Sequence, residues 1–272
     1  MSIGSANRVL DKFSDECIQC GVCLNVCTLL NDLGLTPDEI AQAILKDQVN
    51  DELIAAIQRC DLCGHCSQDC LVNLNPSDMI KASRQILVQK GYISPEDYDV
   101  MLVDQDWNFF TIYRETYGIR YDDLASGAYS ILFFPGCTLA SYAPELTRAV
   151  FEWLKVQGYD VGFSDLCCGK PLDSIGLSEQ EDRYLDRLRN QLSIAGATRI
   201  ITACPNCDYH LKIRLPGIEI QSLYSILLGA GIRLSGDTTL TFHDSCPDRY
   251  DGKNGTEIRA ILSGYEQVEM AN

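Results

Sequence analysis

Two stretches of eleven residues carry the same cysteine pattern, and they constrain this chain more than anything else in it. The first runs from Cys17 through Cys20 and Cys23 to Cys27, the second from Cys60 through Cys63 and Cys66 to Cys70. Both read C-x2-C-x2-C-x3-C, the spacing by which thiolates hold [4Fe–4S] cubanes. Three thiolates on one tight loop reach three corners of a cube, and that loop cannot also deliver the fourth. In paired runs the fourth cysteine therefore ligates the other cluster. One cubane is expected on Cys17, Cys20, Cys23 and Cys70, the other on Cys60, Cys63, Cys66 and Cys27. The competing ligand is zinc. Structural zinc sites pair two short knuckles or add histidines, one tetrahedron at a time, and two dense runs fit that poorly.

The spacing resembles that of two-cluster ferredoxins, with one departure. The proline that usually follows the fourth cysteine is Thr28 in the first run and Leu71 in the second, and Pro76 comes a few residues later. The segments around the runs are helical in pattern. Residues 1–16 read as a short helix or arm. Thr36-Pro37-Asp38-Glu39 combines a capping threonine, proline at the first helical position and acids in the first turn, and Ile40, Ala43 and Ile44 follow at helical spacing. Residues 51–59 put Leu53, Ile54 and Ile57 on one face, and residues 76–90 turn Met79, Ile80, Ser83, Ile86 and Leu87 inward before Gly91 stops the helix. A further helix starts at Ser94-Pro95. Residues 1–103 thus resemble the α-helical ferredoxin type, in which helices pack around two cubanes.

A chain of 272 residues accommodates two domains. Its net charge of −16 argues against nucleic acid, which needs clusters of Lys and Arg. No apolar run reaches the ~18 residues of a membrane span, and residues 1–12 lack a signal-peptide core. The expected location is cytoplasmic, where fourteen cysteines do not form a disulfide framework.

Residues 104–128 read as a linker carrying Trp107, Phe109, Phe110, Tyr113 and Tyr117, for packing or for a partner surface. From residue 129 strands alternate with helices: strands at 130–134, 160–164, 199–203, 218–220 and 239–243, helices at 144–157, 178–195, 208–214, 222–228 and 256–262. That alternation implies an α/β domain with a mainly parallel, doubly wound sheet. Cys137, Cys167, Cys168, Cys204 and Cys246 each come just after a strand, at the carboxyl edge where open α/β sheets bind ligands.

Cys137, then Cys167-Cys168-Gly169, then Cys204-Pro205-Asn206-Cys207 resembles the cysteine-rich CCG domain. This domain occurs in heterodisulfide reductases and in the iron–sulfur subunits of glycolate, lactate and anaerobic glycerol-3-phosphate oxidation systems. Joined to the N-terminal part, residues 129–236 are similar to the first CCG repeat of the fused heterodisulfide reductase D-type subunit. The resemblance implies a third, noncubane [4Fe–4S] centre held by Cys137, Cys167, Cys168, Cys204 and Cys207, with Cys167 and Cys168 at the catalytic position. Gly169 would let the backbone pass close to it. It also implies disulfide reduction with electrons delivered through the cubanes. Residues 237–272, with His243-Asp244-Ser245-Cys246, resemble the start of a second repeat whose own CCG and CxxC are absent here. Either the sequence is truncated or another chain completes that site, and Cys246 is left as an orphan ligand.

Two rivals stay open. Cys204 and Cys207 follow a strand and open a helix, where thiol pKa falls, so a thiol–disulfide exchanger is one, with zinc in the same thiols its variant. The other is an electron relay for a flavin-dependent partner. Gly229-Ala230-Gly231 follows a helix and lacks the third glycine of a dinucleotide fingerprint, and Gly169-Lys170-Pro171 is no P-loop. Any flavin or nicotinamide is thus expected on a redox partner, a flavoprotein or another iron–sulfur protein. Of the histidines, His65 lies in a cluster loop, His210 follows Cys207, and His243 is the candidate proton donor.

Overall fold

A computed structural model describes residues 3–124 and 127–270. Residues 1 and 2 of the expected arm, 125 and 126 of the expected linker, and 271 and 272 of the expected partial repeat lie outside the described residues. The chain divides into two compact units, one of residues 1–108 with 171–184, the other of 109–170 with 185–272. The boundaries expected at 103, 128 and 236 are drawn on pattern alone. Compactness places the first cut at 108, keeps 237–270 with the second unit and assigns 171–184 to the first.

The first unit is helical: α1 (Ile3–Glu16), α2 (Val22–Val26), α3 (Thr28–Leu33), α4 (Pro37–Leu45), α5 (Asp51–Arg59), α6 (His65–Gln68) and α7 (Pro76–Gln89), then a 3-10 turn at Pro95–Met101. Ala6, Leu10 and Phe13 stack at helical spacing along α1 and are buried where α1 packs on α4 and α7. The expected start of α4 is a full capping box. Thr36 Oγ1 accepts from the Glu39 N–H, and the Glu39 carboxylate accepts from the Thr36 N–H. Leu53, Ile57, Met79, Ile80, Ile86 and Leu87 complete the core, against which Cys17, Cys23, Cys27, Cys60 and Cys70 pack. The returning segment 171–184 is tied to α7. Lys81 Nζ pairs with Asp173 at 3.1 Å, and Arg84 Nη1 donates to the Ser174 carbonyl at 2.6 Å.

The second unit opens with α8 (Phe109–Thr116), inside the expected linker. There follow β1 (Ile131–Phe134), α9 (Cys137–Tyr142), α10 (Pro144–Val156), β2 (Val161–Phe163), α11 (Lys170–Ser174), α12 (Ser178–Ala195), β3 (Arg199–Thr202), α13 (Pro205–Arg214), β4 (Glu219–Ser222) and α14 (Leu223–Gly229). Of α11 only Lys170 belongs to this unit, and the boundary between units falls within α12. The four strands form one parallel sheet in the order β2-β1-β3-β4. All four β1 residues are buried, as expected of a parallel strand covered on both faces. Phe163 sits among Tyr121, Phe151 and Phe133, with ring centroids at 4.7, 5.8 and 6.1 Å. The chain ends in β5 (Ser235–Phe242), α15 (Asp248–Asp251), α16 (Lys253–Ile261) and β6 (Gly264–Glu269). β5 and β6 pair in parallel as a separate two-stranded sheet.

Phe163→Ala empties the centre of this aromatic group and is expected to cost about 3–5 kcal/mol of the second unit's stability in urea unfolding. Ile194→Ala, at a side chain 87% exposed, should change it by less than about 0.5 kcal/mol.

Candidate functional site

The two cysteine runs fold into the same loop. Gln19 and Leu62, each just before the second cysteine of its run, have φ of 53° and 52°. Gly21 and Gly64, each just after that cysteine, have φ of 74° and 75°. Left-handed backbone at a non-glycine residue costs on the order of 1 kcal/mol and persists where function over-determines it. Each glycine caps a short helix, α2 or α6, that carries the third cysteine. Nothing in the residue types at 19 and 62 announced this strain.

The fourth cysteines cross over. Cys17, Cys20, Cys23 and Cys70 line one pocket together with Phe13, Val72 and Leu74. Burial, and then the neighbouring Cys17, Cys20 and Cys70, push the Cys23 thiol up to about 11. Cys66 is pushed up to about 12 by burial and by Cys27, Cys60 and Cys63. Burial raises Cys60 too, against the pull of the Leu62 backbone N–H and the Arg84 guanidinium. Four mutually repelling thiols in an apolar wall are a poor place for anions alone and a suitable one for iron, whose positive charge offsets them. The donor sets fit two cubanes. The Leu74 N–H already donates to Cys70 Sγ at 3.3 Å.

In the second unit five thiols converge from three adjacent strand ends. Cys137 opens α9 after β1, Cys167 and Cys168 follow β2, and Cys204 and Cys207 flank the start of α13 after β3. Cys167 meets Cys137 and Cys168, Cys168 meets Cys207, and Cys207 meets Cys204. Cys167, Cys168 and Cys207 are buried. Here the thiols divide by role. Cys168 is held well below the usual thiol range because it accepts from Cys167 and Cys207, outweighing its burial, with His210 and the Lys170 N–H helping. Its two donors are raised correspondingly. Cys204 falls to about 7, chiefly through the bond from Cys207 and then through backbone N–H groups at the start of α13. A soft thiolate set partly ionised in advance suits an iron–sulfur centre. Among the described residues no three His, Cys, Asp or Glu side chains are grouped to hold a single metal ion.

One contributor was ranked too low from the sequence and one escaped it. His210, buried and beside Cys168, sits three residues after Cys207. That is one helical face once α13 starts at Pro205 rather than at the expected Asp208. Gly136 has φ 82°, and a Cβ there would lie 2.9 Å from Cys204 Cβ. Gly169 has the same φ, 82°. His243 and Cys246 are exposed in the loop after β5, and His65 is half-buried at the start of α6.

Two family models match the chain. The one described as a 4Fe-4S dicluster domain covers residues 13–74 and contains both cysteine runs. The one described as CCG, a cysteine-rich domain, covers residues 131–212 and contains all five converging thiols. An uncharacterized iron–sulfur protein of Methanococcus maripaludis is 21% identical over 282 aligned residues, which cover 93% of this chain and 56% of the relative. The chain thus spans about half the length of that relative. No solved structure matches it. Residues 13–74 and 131–212 thus match a 4Fe-4S dicluster domain and a cysteine-rich CCG domain, and both matches and the relative point to an iron–sulfur protein. Among the described residues no helix is long and apolar enough to cross a membrane.

In iron-free protein a thiol reagent is expected to titrate the exposed Cys20, Cys63 and Cys246 first and the buried Cys66, Cys167, Cys168 and Cys207 only on unfolding. Gly136→Ala forces apart the Cys204 contact, so it should move Cys167, Cys168 and Cys207 into the fast class and lower stability by roughly 1–3 kcal/mol. Unchanged reactivity in the variant would show that this close approach is not needed.

Proposed function

We propose that this chain is an iron–sulfur oxidoreductase subunit of the heterodisulfide reductase D type, delivering electrons to a disulfide. The observation that carries the reading is the convergence of Cys137, Cys167, Cys168, Cys204 and Cys207, on a chain that also has two four-thiol groups. Cys17, Cys20, Cys23 and Cys70 would hold one cubane and Cys60, Cys63, Cys66 and Cys27 the other, with a noncubane [4Fe–4S] centre on the five thiols. When bound, these groups supply one-electron storage and transfer.

The chain's own residues supply the rest. Burial of Cys167, Cys168 and Cys207 keeps water from the third site. Cys168, favoured as the thiolate, is the natural ligand, and His210 beside it stands where a proton is needed. Reduction of a disulfide R–S–S–R′ takes two electrons and two protons and yields two thiols. The electrons come from a redox partner, a flavoprotein or another iron–sulfur protein, and the same wiring runs in reverse for a partner dehydrogenase. A lowered thiol at Cys204 is the observation favouring the second reading, thiol–disulfide exchange by Cys204 and Cys207 without iron.

Two finer points of architecture belong to the same proposal. The order β2-β1-β3-β4 supports the doubly wound reading: with the usual right-handed crossovers, α10 would lie on one face of the sheet and α12 and α13 on the other. Burial of every β1 residue is consistent with it. The β5–α16–β6 unit repeats the parallel β1–α10–β2 unit, and Cys246 follows β5 much as Cys137 follows β1. That supports reading residues 237–272 as the opening of a second CCG repeat. Its site, with Cys246 and His243, would be completed by further residues of this polypeptide or by a partner.

The test is a set of cysteine variants in anaerobically reconstituted protein. Crossed ligation predicts that Cys27→Ser disturbs the cluster of the second run and Cys70→Ser that of the first, each with loss of up to about four iron atoms. Cys167→Ala should leave both cubane signals intact and lower disulfide turnover by roughly a hundredfold or more. Full turnover in Cys167→Ala with an unaltered spectrum would sink the reading.

A further inference from the structure

The two cluster loops share their backbone, but the buried charges behind them are opposite. Arg84 on α7 is 5% exposed. Its Nε and Nη2 donate to the Ile57 carbonyl at 3.0 and 2.8 Å, and Nη2 to those of Gln58, at 3.0 Å, and Cys60. Nη1 donates to the Ser174 carbonyl at 2.6 Å. Among the described residues every bond of the guanidinium goes to a carbonyl oxygen and none to a carboxylate. The groups that face it electrostatically are the Cys60 thiol, the Tyr98 phenol and the exposed Asp61. A buried cation without an ionic partner is costly. It is accounted for when the neighbouring Cys60, Cys63, Cys66 and Cys27 become four thiolates on a cluster whose net charge is negative.

The first loop has the reverse. Asp38 in the first turn of α4 is 2% exposed. Its carboxylate accepts from Gln42 Nε2 at 2.9 Å and from Nε2 of Gln19, the residue between Cys17 and Cys20. Both partners are neutral amides. Other acidic residues near the runs, Asp15, Glu16, Asp61 and Asp69, are exposed and screened by solvent and salt.

Helix ends act in the opposite sense. The carbonyls of α5 point at Arg84, and the amino end of α4 lies at the first pocket, which Thr36 and Pro37 line. A helix end amounts to about half an elementary charge, so a full buried charge outweighs it at each site.

We propose that Arg84 and Asp38 set the two cubane sites apart in reduction potential. Arg84 makes the Cys60, Cys63, Cys66 and Cys27 site the easier to reduce, and Asp38 makes the Cys17, Cys20, Cys23 and Cys70 site the harder. An electron shared between the two then rests at the second. This rests on the reading that both sites hold cubanes. Arg84 and Asp38 act as positioning charges that bind neither iron nor substrate.

The experiment is a redox titration followed by EPR on the full chain, reconstituted without oxygen, as wild type and as Asp38→Asn, Arg84→Gln and Arg84→Lys. Wild type should show two cubane midpoints. Asp38→Asn should raise the lower one and leave the higher in place. Arg84→Gln should lower the higher one, and Arg84→Lys, which keeps the charge, should stay near wild type. If Arg84→Gln fails to take up its cluster, the conservative Asp38→Asn still decides. Unmoved midpoints in Asp38→Asn overturn the proposal, as do unmoved midpoints in a cluster-loaded Arg84→Gln or an Arg84→Lys shift as large as that of Arg84→Gln. Absence of any cubane signal in the wild type overturns the underlying reading instead.

Discussion

Thiols that must all give up their protons to bind iron repel one another, and taking them out of water makes that repulsion worse. Cys23 and Cys66 show the penalty directly, each raised by burial and then by three other cysteines of its group. The helical unit is arranged so that the penalty is offset only when something positive sits among the thiols. Left-handed backbone at Gln19 and Leu62 gives the two loops one shape, and a core of Leu10, Phe13, Leu53 and Met79 holds the loops in place. Removing the positive charge leaves loops with little reason to keep their shape, which is the usual coupling of metal binding to folding.

The third thiol group meets the same constraint differently. Its cysteines lie in hydrogen-bond reach of one another: Cys167 and Cys207 flank Cys168, and the single S–H of Cys207 is shared between Cys168 and Cys204. Part of the negative charge is tolerated in advance, helped by backbone N–H groups at the start of α13 and by His210. On the function proposed above, the two arrangements would serve two tasks, electron storage where thiols gather against an apolar wall and substrate chemistry where they gather at a sheet edge.

Legibility in the sequence followed the strength of local signals. The capping Thr36 with Pro37 and its first-turn acids, the stripes of α5 and α7, and the strands at 131 and 199 were plain, and the strand at 161 weaker, because caps and apolar periodicity are written in neighbouring residues. β6 was not anticipated and β5 starts four residues earlier than expected, because Ser235 to Thr238 and Gly264 to Glu269 are polar and largely exposed. Cys137, Cys167, Cys168 and Cys204 were read from the edge of a parallel sheet and Cys207 from the CCG resemblance, whereas Cys246, read from the same edge, follows a strand of the separate two-stranded sheet. His210 was undervalued because the expected start of α13 hid its register with Cys207. Gly136 and the assignment of 171–184 to the helical unit depend on contacts far apart in sequence, at Cys204 and at Arg84. No local pattern encodes those.

On the proposed function three groups of thiols hold three clusters, and the decisive measurement is a count of iron and acid-labile sulfide on anaerobically reconstituted protein, alongside EPR. About twelve iron atoms per chain are expected, with a signal distinct from those of two reduced cubanes. About eight iron atoms, with zinc or free thiols at Cys137, Cys167, Cys168, Cys204 and Cys207, would contradict it and leave a two-cubane carrier.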